Sequence, residues 1–479
     1  MLQSYLTKIG LMALISCANG APTHRAYEND TPPDPLAIRN LNAVAPVAPS
    51  AIRARNILYP LPARHGGPHT NSTQTQGTAT APGTAPATGL PTQSPTATTG
   101  GRLRISIVNN LDSDNAHAYV SALDVDGKVV MLTPGGEFYY PEDPGNQDPQ
   151  ALTADVAIKL PARGQSLEIA IPGYVEGARV WFAEGRLEFA VVSSPNGAAL
   201  VEPTAINPDD ASATINWGFV ELTFIAGYGL FANLSFVDFV GMVLGMDLET
   251  ESGNTQLIQG LPKDAVQRVC NRLKQHKSVD KKSWEALCVL GSNGEALRVI
   301  SPSALLSQLP EAFPRFFQAY VDRVWKHYAS SPLTIDTQGT AGKVSCTVSG
   351  TSLQCAGDNR GFAKPSASDI FGCNTGPFAI QSTDNEIHKA VVPRLCAAFH
   401  RGTLLVEGGH EQPGMKPAQY YQARPSNWYS AFVHEAQLDG KGYAFAYDDV
   451  APSVQDDVSG AVAASDPRLL TVFVGGVAA

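Results

Sequence analysis

Glu221 and Asp238 stand seventeen positions apart within a largely apolar run, INWGFVELTFIAGYGLFANLSFVDFVGMVLGM, from Ile215 to Met246. Each has apolar neighbours, Val220 and Leu222 for the first, Val237 and Phe239 for the second. A strand alternates its side chains between faces, so Trp217, Phe219, Glu221 and Thr223 share one face and Phe236, Asp238 and Val240 share another. Pairing the two segments antiparallel through the loop at Gly227 and Gly229, with 221 and 238 opposite or one step off, brings both carboxylates out on one side. Opposite positions hold their Cβ atoms roughly 4.5–5.5 Å apart and diagonal ones about 7–8 Å. Hydrolysis of a glycosidic bond with inversion uses an acid and a base roughly 6.5–9.5 Å apart, leaving room for sugar and water. The spacing permits such a pair. Acidic residues on the solvated face of an antiparallel strand are also ordinary, so the pattern alone leaves both readings open.

The elements that must hold this pair read as mainly β. Arg102 to Asn109 alternates as a strand does, and short strands follow at Ala118–Val125, Lys128–Leu132, Leu167–Ile171 and Ala178–Phe182, separated by Gly, Pro, Asn and Asp. That density of short strands predicts a β-sandwich or barrel. The middle differs: Val266, Val269, Cys270 and Leu273 fall at helical spacing, a second helix is expected near Ser283, and Ser301-Pro302 is a cap-then-proline start for a third. Phe317, Tyr320, Val321, Val324, Trp325 and Tyr328 form one helical stripe, which reads as core. The expected organisation is a β-rich body over about 101–250 and 430–478, interrupted by a mixed α/β lobe over about 251–429.

The N-terminal fifth is different in kind. Residues 1–20 hold Lys8, the apolar stretch Ile9–Ile15, and small residues Ala18 and Gly20 at cleavage spacing, the pattern of a secretory signal peptide. Leu14-Ile15-Ser16-Cys17 also resembles a lipobox, which would leave Cys17 lipidated and the chain on a membrane. Residues 21–100 are Thr/Pro/Ala/Gly-rich and carry no charge from His65 to Gly101, so they are expected to be an unfolded spacer, with Asn71-Ser72-Thr73 a better glycan acceptor than Asn233-Leu234-Ser235.

Cys17 apart, six of the seven cysteines remain: Cys270, Cys288, Cys346, Cys355, Cys373 and Cys396. An even number in an exported chain makes three disulfides the default, though the connectivities are many. Sequential pairing is the expectation, 270 with 288 between helices, 346 with 355 across a hairpin, and 373 with 396. His410-Glu411 and His434-Glu435 lack the second histidine of a zinc motif, so no metal site is expected. The sequence has no nucleophile elbow and no phosphate loop, and no cofactor is called for. A net charge of −10 argues against nucleic acid, whose phosphates need clustered Lys and Arg, and suits a neutral polysaccharide better.

Several segments together carry a resemblance. WGFVELT (217–223) and ANLSFVDFVG (232–241) are followed by PSASDIFGC (365–373), GPFA (376–379), NWY (427–429), GKGYAFAYDDV (440–450) and LTVFVGG (470–476). In this order across residues 101–478 they resemble glycoside hydrolase family 64, the β-1,3-glucanases of the thaumatin/osmotin-like superfamily. The resemblance implies a thaumatin-like barrel or sandwich domain plus a mixed α/β lobe with a wide cleft between them. It implies Glu221 as general acid and Asp238 as general base of an inverting, endo-acting, secreted or wall-associated β-1,3-glucan hydrolase without cofactor, and a monomer is the default expectation. Trp217, Thr223 and Asp449 are carried over as substrate-contacting positions, Trp217 being equally readable as core and Asp448-Asp449 as structural. The alternative is a non-catalytic β-glucan-binding or antifungal thaumatin-like protein. The 226–230 loop departs from the family pattern, which leaves product length open.

Overall fold

The structure, a computed structural model, describes residues 56–58 and 101–477. The expected signal peptide, Cys17 and the Asn71 acceptor lie outside the described residues. Short β-branched and aromatic runs broken by glycine build five sheets, with helices gathered between residues 265 and 436. The largest sheet has eight strands. Its main path runs Ala461–Ala464, Gly229–Leu234, Asn216–Ile225, Val175–Glu184, Ala116–Leu123, Val129–Leu132, Phe138–Tyr139, and Ile158–Lys159 also pairs with Ala116–Leu123. A five-stranded sheet runs Thr255–Ile258, Leu244–Thr250, Pro467–Val474, Leu103–Asn109, Ser166–Ile171. Its C-terminal strand lies parallel to Leu103–Asn109 at the start of the body, so the two ends close on each other. Side chains of both sheets and of the helices enter one continuous core.

Phe317, Tyr320, Val321, Val324, Trp325 and Tyr328 are all buried, as the stripe along the helix Gln318–Tyr328 and its N-cap predicts, and Trp284 and Phe313 are buried too. The first helix runs Ala265–Asp280, and Ser301 caps Pro302–Gln308 through the Ala304 N–H. Near Ser283 the chain makes only a 3₁₀ turn, Trp284–Leu287, before Cys288 opens a strand. The three disulfides join Cys270 to Cys288, Cys346 to Cys355 and Cys373 to Cys396, the sequential pairing; the first links a helix to a strand rather than two helices.

Of the spacer expected over 21–100, only residues 56–58 lie among the described residues, and they are not irregular. Asn56–Leu58 is extended and pairs antiparallel with Leu200–Glu202.

Candidate active site

Glu221 sits mid-strand in Asn216–Ile225, near the centre of the eight-stranded sheet. Across one side it faces Arg179, and across the other Asn233. This corrects the register drawn from the sequence. The turn is tight, Ile225 pairing with Gly229, so Leu230–Leu234 is spent on the hairpin and Asp238 never becomes a strand partner of Glu221. Gly227 and Gly229 both take positive φ, 77° and 89°, and a Cβ on Gly229 would run into the Ala464 carbonyl of the neighbouring strand, which fixes the turn where it is.

Asp238 reaches the site another way. After an isolated bridge at Ser235 the chain leaves the sheet. The Phe236 N–H donates to the Tyr443 carbonyl at 2.7 Å, and the Tyr429 hydroxyl donates to the Phe236 carbonyl at 2.6 Å. The Asp238 carbonyl accepts from the Ser301 N–H at 2.8 Å, and Phe239–Val240 pairs with Val299–Ile300. Asp238 is therefore carried on a loop held by the helical part of the chain, while Glu221 is held by the sheet.

Both carboxylates nevertheless feel one cation, and each other. Arg179 Nη2 and Nε donate to Glu221 Oε1 at 3.2 and 3.3 Å, and the Arg179 charge also acts on Asp238. Burial raises the Glu221 carboxyl above its ordinary value. Arg179 pulls it down, the Asp238 charge adds to the rise, and a hydrogen bond with Ser235 lowers it, the net direction being up. Burial raises Asp238 too, with Arg179 opposing. The physical source is visible beneath the pair: the Arg179 guanidinium lies 4.9 Å over the Phe219 ring and 5.6 Å over Trp181, in an aromatic cluster with Trp217 and Phe239. Glu221 keeps 19% of its side chain exposed, so it is desolvated but reachable.

The remaining expected site residues fall in different places. Trp217 is 1% exposed inside that aromatic cluster. It has no face to offer a sugar, because a ring on the Glu221 side of the strand packs against Phe239 and Trp181. Thr223 is buried, and its hydroxyl accepts the Gly177 N–H at 3.2 Å where the strand bulges between Leu222 and Phe224. Asp448 is fully buried, bonded to Arg401 at 3.0 Å and His434 at 2.8 Å; burial works against its charge, but those two cations outweigh it. Asp449 belongs to a second cluster. Burial and the Asp457 charge push it up to about 7, with Arg394 opposing, and its Oδ1 is buried without a partner.

Three residues not expected in the site from the sequence stand in it. Arg179 comes from Val175–Glu184, which pairs with the Glu221 strand, and Glu202 comes from a strand of the separate four-stranded sheet, relations that only the folded topology reveals. Asn233 was readable only as a glycan acceptor. It is 8% exposed in the middle of the sheet, so no glycan reaches it, and its Oδ1 is without a partner directly opposite Glu221.

The family model of the β-1,3-glucanases, glycoside hydrolase family 64, matches residues 101–474. The chain belongs to this family. Within family 64, it is similar to a laminaripentaose-producing β-1,3-glucanase solved in complex with laminaritetraose. That likeness has 27% identity and a TM-score of 0.68, covering 78% of this chain and 98% of that one. The fold is also that of a β-1,3-glucanase domain from Clostridium beijerinckii, at 21% identity and a TM-score of 0.61, covering 79% of this chain and 99% of that one. Among curated relatives, the glucan endo-1,3-β-glucosidase of Cellulosimicrobium cellulans is 26% identical over 297 residues, 60% of this chain and 50% of that protein. One from Arthrobacter sp. (strain YCWD3) is 26% identical over 293 residues, with the same coverage. The chain spans about half the length of the curated relatives it matches.

Proposed function

We propose that this chain is an exported, endo-acting, inverting β-1,3-glucan hydrolase in which Glu221 is the general acid and Asp238 the general base. The observation that carries the reading is that these two carboxylates lie within electrostatic reach of Arg179 and of each other in a member of family 64. Glu221, desolvated over an aromatic floor, holds a proton and delivers it to the glycosidic oxygen as the bond to the anomeric carbon breaks. Asp238 takes a proton from a water on the far side of the ring, and the oxygen of that water bonds to the same carbon with inversion. The cycle leaves Glu221 ionised and Asp238 protonated, and exchange with solvent resets both. A neutral glucan suits a chain of net charge −10, because hydroxyl–carboxylate and hydroxyl–amide hydrogen bonds hold it without counter-charge.

Incubation with a linear β-1,3-glucan tests the reading. Soluble oligosaccharides with reducing ends are expected, their first-formed anomer α by proton NMR. Binding without release would favour the non-catalytic glucan-binding alternative, and a first-formed β anomer would remove the inverting assignment.

A further inference from the structure

Arg179 divides its donors between two carboxylates, and only one of them is available to a substrate. Glu202 ends the strand Gly197–Glu202 in a different, four-stranded sheet, and is 2% exposed. Its Oε2 accepts from Arg179 Nη1 at 2.6 Å, and its Oε1 accepts from the Ser121 hydroxyl at 2.7 Å. Ser121 Oγ in turn accepts from Trp181 Nε1 at 2.9 Å. Every oxygen of Glu202 is thus engaged by a buried donor that is itself fixed. The contrast with Glu221 is geometric. Both Arg179 contacts to Glu221 are longer and both fall on the same oxygen, Oε1. A guanidinium free to choose would take a carboxylate by both oxygens, which is the stronger and shorter arrangement.

We propose that Glu202 is a positioning residue for the hydrolysis: it anchors Arg179 by one edge, so that the guanidinium touches Glu221 at Oε1 alone and leaves Oε2 to carry the transferable proton. The proposal rests on the reading of Glu221 as the acid. Glu202 touches no reacting atom. It acts through Arg179, whose charge it offsets and whose orientation it sets. Without it, the cation would swing to a two-point pair with Glu221 and its positive charge would lie uncompensated beside both carboxylates. Glu221 would then give up its proton at lower pH.

Among the described residues, the charged and titratable groups facing this centre are few. Arg179 and Asp238 act on Glu221, with Ser235 and Asn233 as polar neighbours; Arg179 and Ser121 hold Glu202; Asp238 has Arg179 and the Tyr429 ring near it. Arg179 is the shared member, so removing its anchor and removing Arg179 itself have opposite consequences.

The test is the pH profile of kcat/KM on a soluble linear β-1,3-glucan, for the wild type, Glu202→Gln, Arg179→Gln and the double variant, with melting curves and glucan binding measured alongside. Glu202→Gln is expected to move the basic limb, set by Glu221, down by about one pH unit, and the acidic limb, set by Asp238, in the same direction. Arg179→Gln is expected to move both limbs up. In the Arg179→Gln background, adding Glu202→Gln is expected to move neither limb further, because Glu202 works only through Arg179. Should Glu202→Gln not fold, Glu202→Asp, which withdraws the carboxylate while keeping its charge, is expected to shift the basic limb the same way by a smaller amount. A folded Glu202→Gln protein whose limbs stay in place or move up overturns the proposal, as does an equal shift with and without Arg179. A wild type that releases no sugar, or a Glu221→Gln variant with normal turnover, instead overturns the functional reading on which it rests.

Discussion

Glu221 and Asn233 occupy directly opposed positions on adjacent strands, and the Asn233 amide oxygen has no partner of its own. Opposed Cβ atoms lie roughly 4.5–5.5 Å apart, so a charge placed at 233 acts on Glu221 at short range. Asn233→Asp is expected to hold the Glu221 proton more tightly, moving the basic limb of the kcat/KM profile up by on the order of one pH unit. An unmoved limb in a folded variant would show that the side chain at 233 does not face the acid.

Glu221→Gln removes the proton donor and keeps the shape. Turnover is expected to fall by about 10²–10⁴-fold, while binding of non-hydrolysed glucan oligosaccharides, read by calorimetry on this slow variant, stays within a few-fold.

Trp217 acts on stability. Its ring is packed among Trp181, Phe219 and Phe239, with Arg298 5.4 Å over its face. Trp217→Ala is expected to cost about 3–5 kcal/mol in chemical denaturation, whereas Trp217→Phe should leave KM for glucan unchanged. A KM raised tenfold in a stable Trp217→Phe protein would return the ring to the substrate.

Asp449 makes stability depend on pH. Its folded carboxyl is pushed up to about 7, by burial first and by Asp457 second, so between the ordinary aspartate value and 7 the unfolded chain has lost a proton that the folded chain retains. Stability therefore falls as pH rises through that window. Asp449→Asn is expected to melt above the wild type near pH 8, by on the order of a few kcal/mol, and the gap should close on acidification toward pH 4. A gap that widens in acid would reverse the assignment.

The Cys373–Cys396 bridge closes a 23-residue separation between two fully buried sulfurs. Replacing both with serine is expected to lower unfolding free energy by about 3 kcal/mol, measured by denaturant titration.

Much of this molecule is legible in its sequence because periodicity and chemistry coincide. The helix Gln318–Tyr328 announces itself through five apolar residues on one stripe, with Phe317 just ahead of it, Ser301-Pro302 through its cap, and the disulfides through proximity along the chain. The carboxylates are legible as residue types and as part of a family pattern. What was hidden is register. A tight turn at Ala226–Tyr228 sets Asn233 opposite Glu221, whereas local alternation fits equally well a pairing that would reach Asp238. Arg179 and Glu202 were hidden for a related reason: each is an ordinary strand residue until the fold pairs Val175–Glu184 with Asn216–Ile225 and brings Glu202 to Arg179 from a different sheet. Burial of Trp217 likewise depends on Trp181 and Phe239, distant along the chain and adjacent in space.

The two halves of the catalytic pair have separate foundations. Glu221 is set in the eight-stranded sheet. Asp238 is tied through Phe239–Val240 and Ser301 to the strand Ala296–Ile300, whose partner strand starts at Cys288, and so to the helix bearing Cys270. Their gap is therefore a gauge of how one foundation rests on the other. A reductant that opens the Cys270–Cys288 bridge would loosen the Asp238 side first. Hydrolysis would then fade in a molecule whose sheets, and whose tryptophan fluorescence from Trp181 and Trp217, still report an intact body.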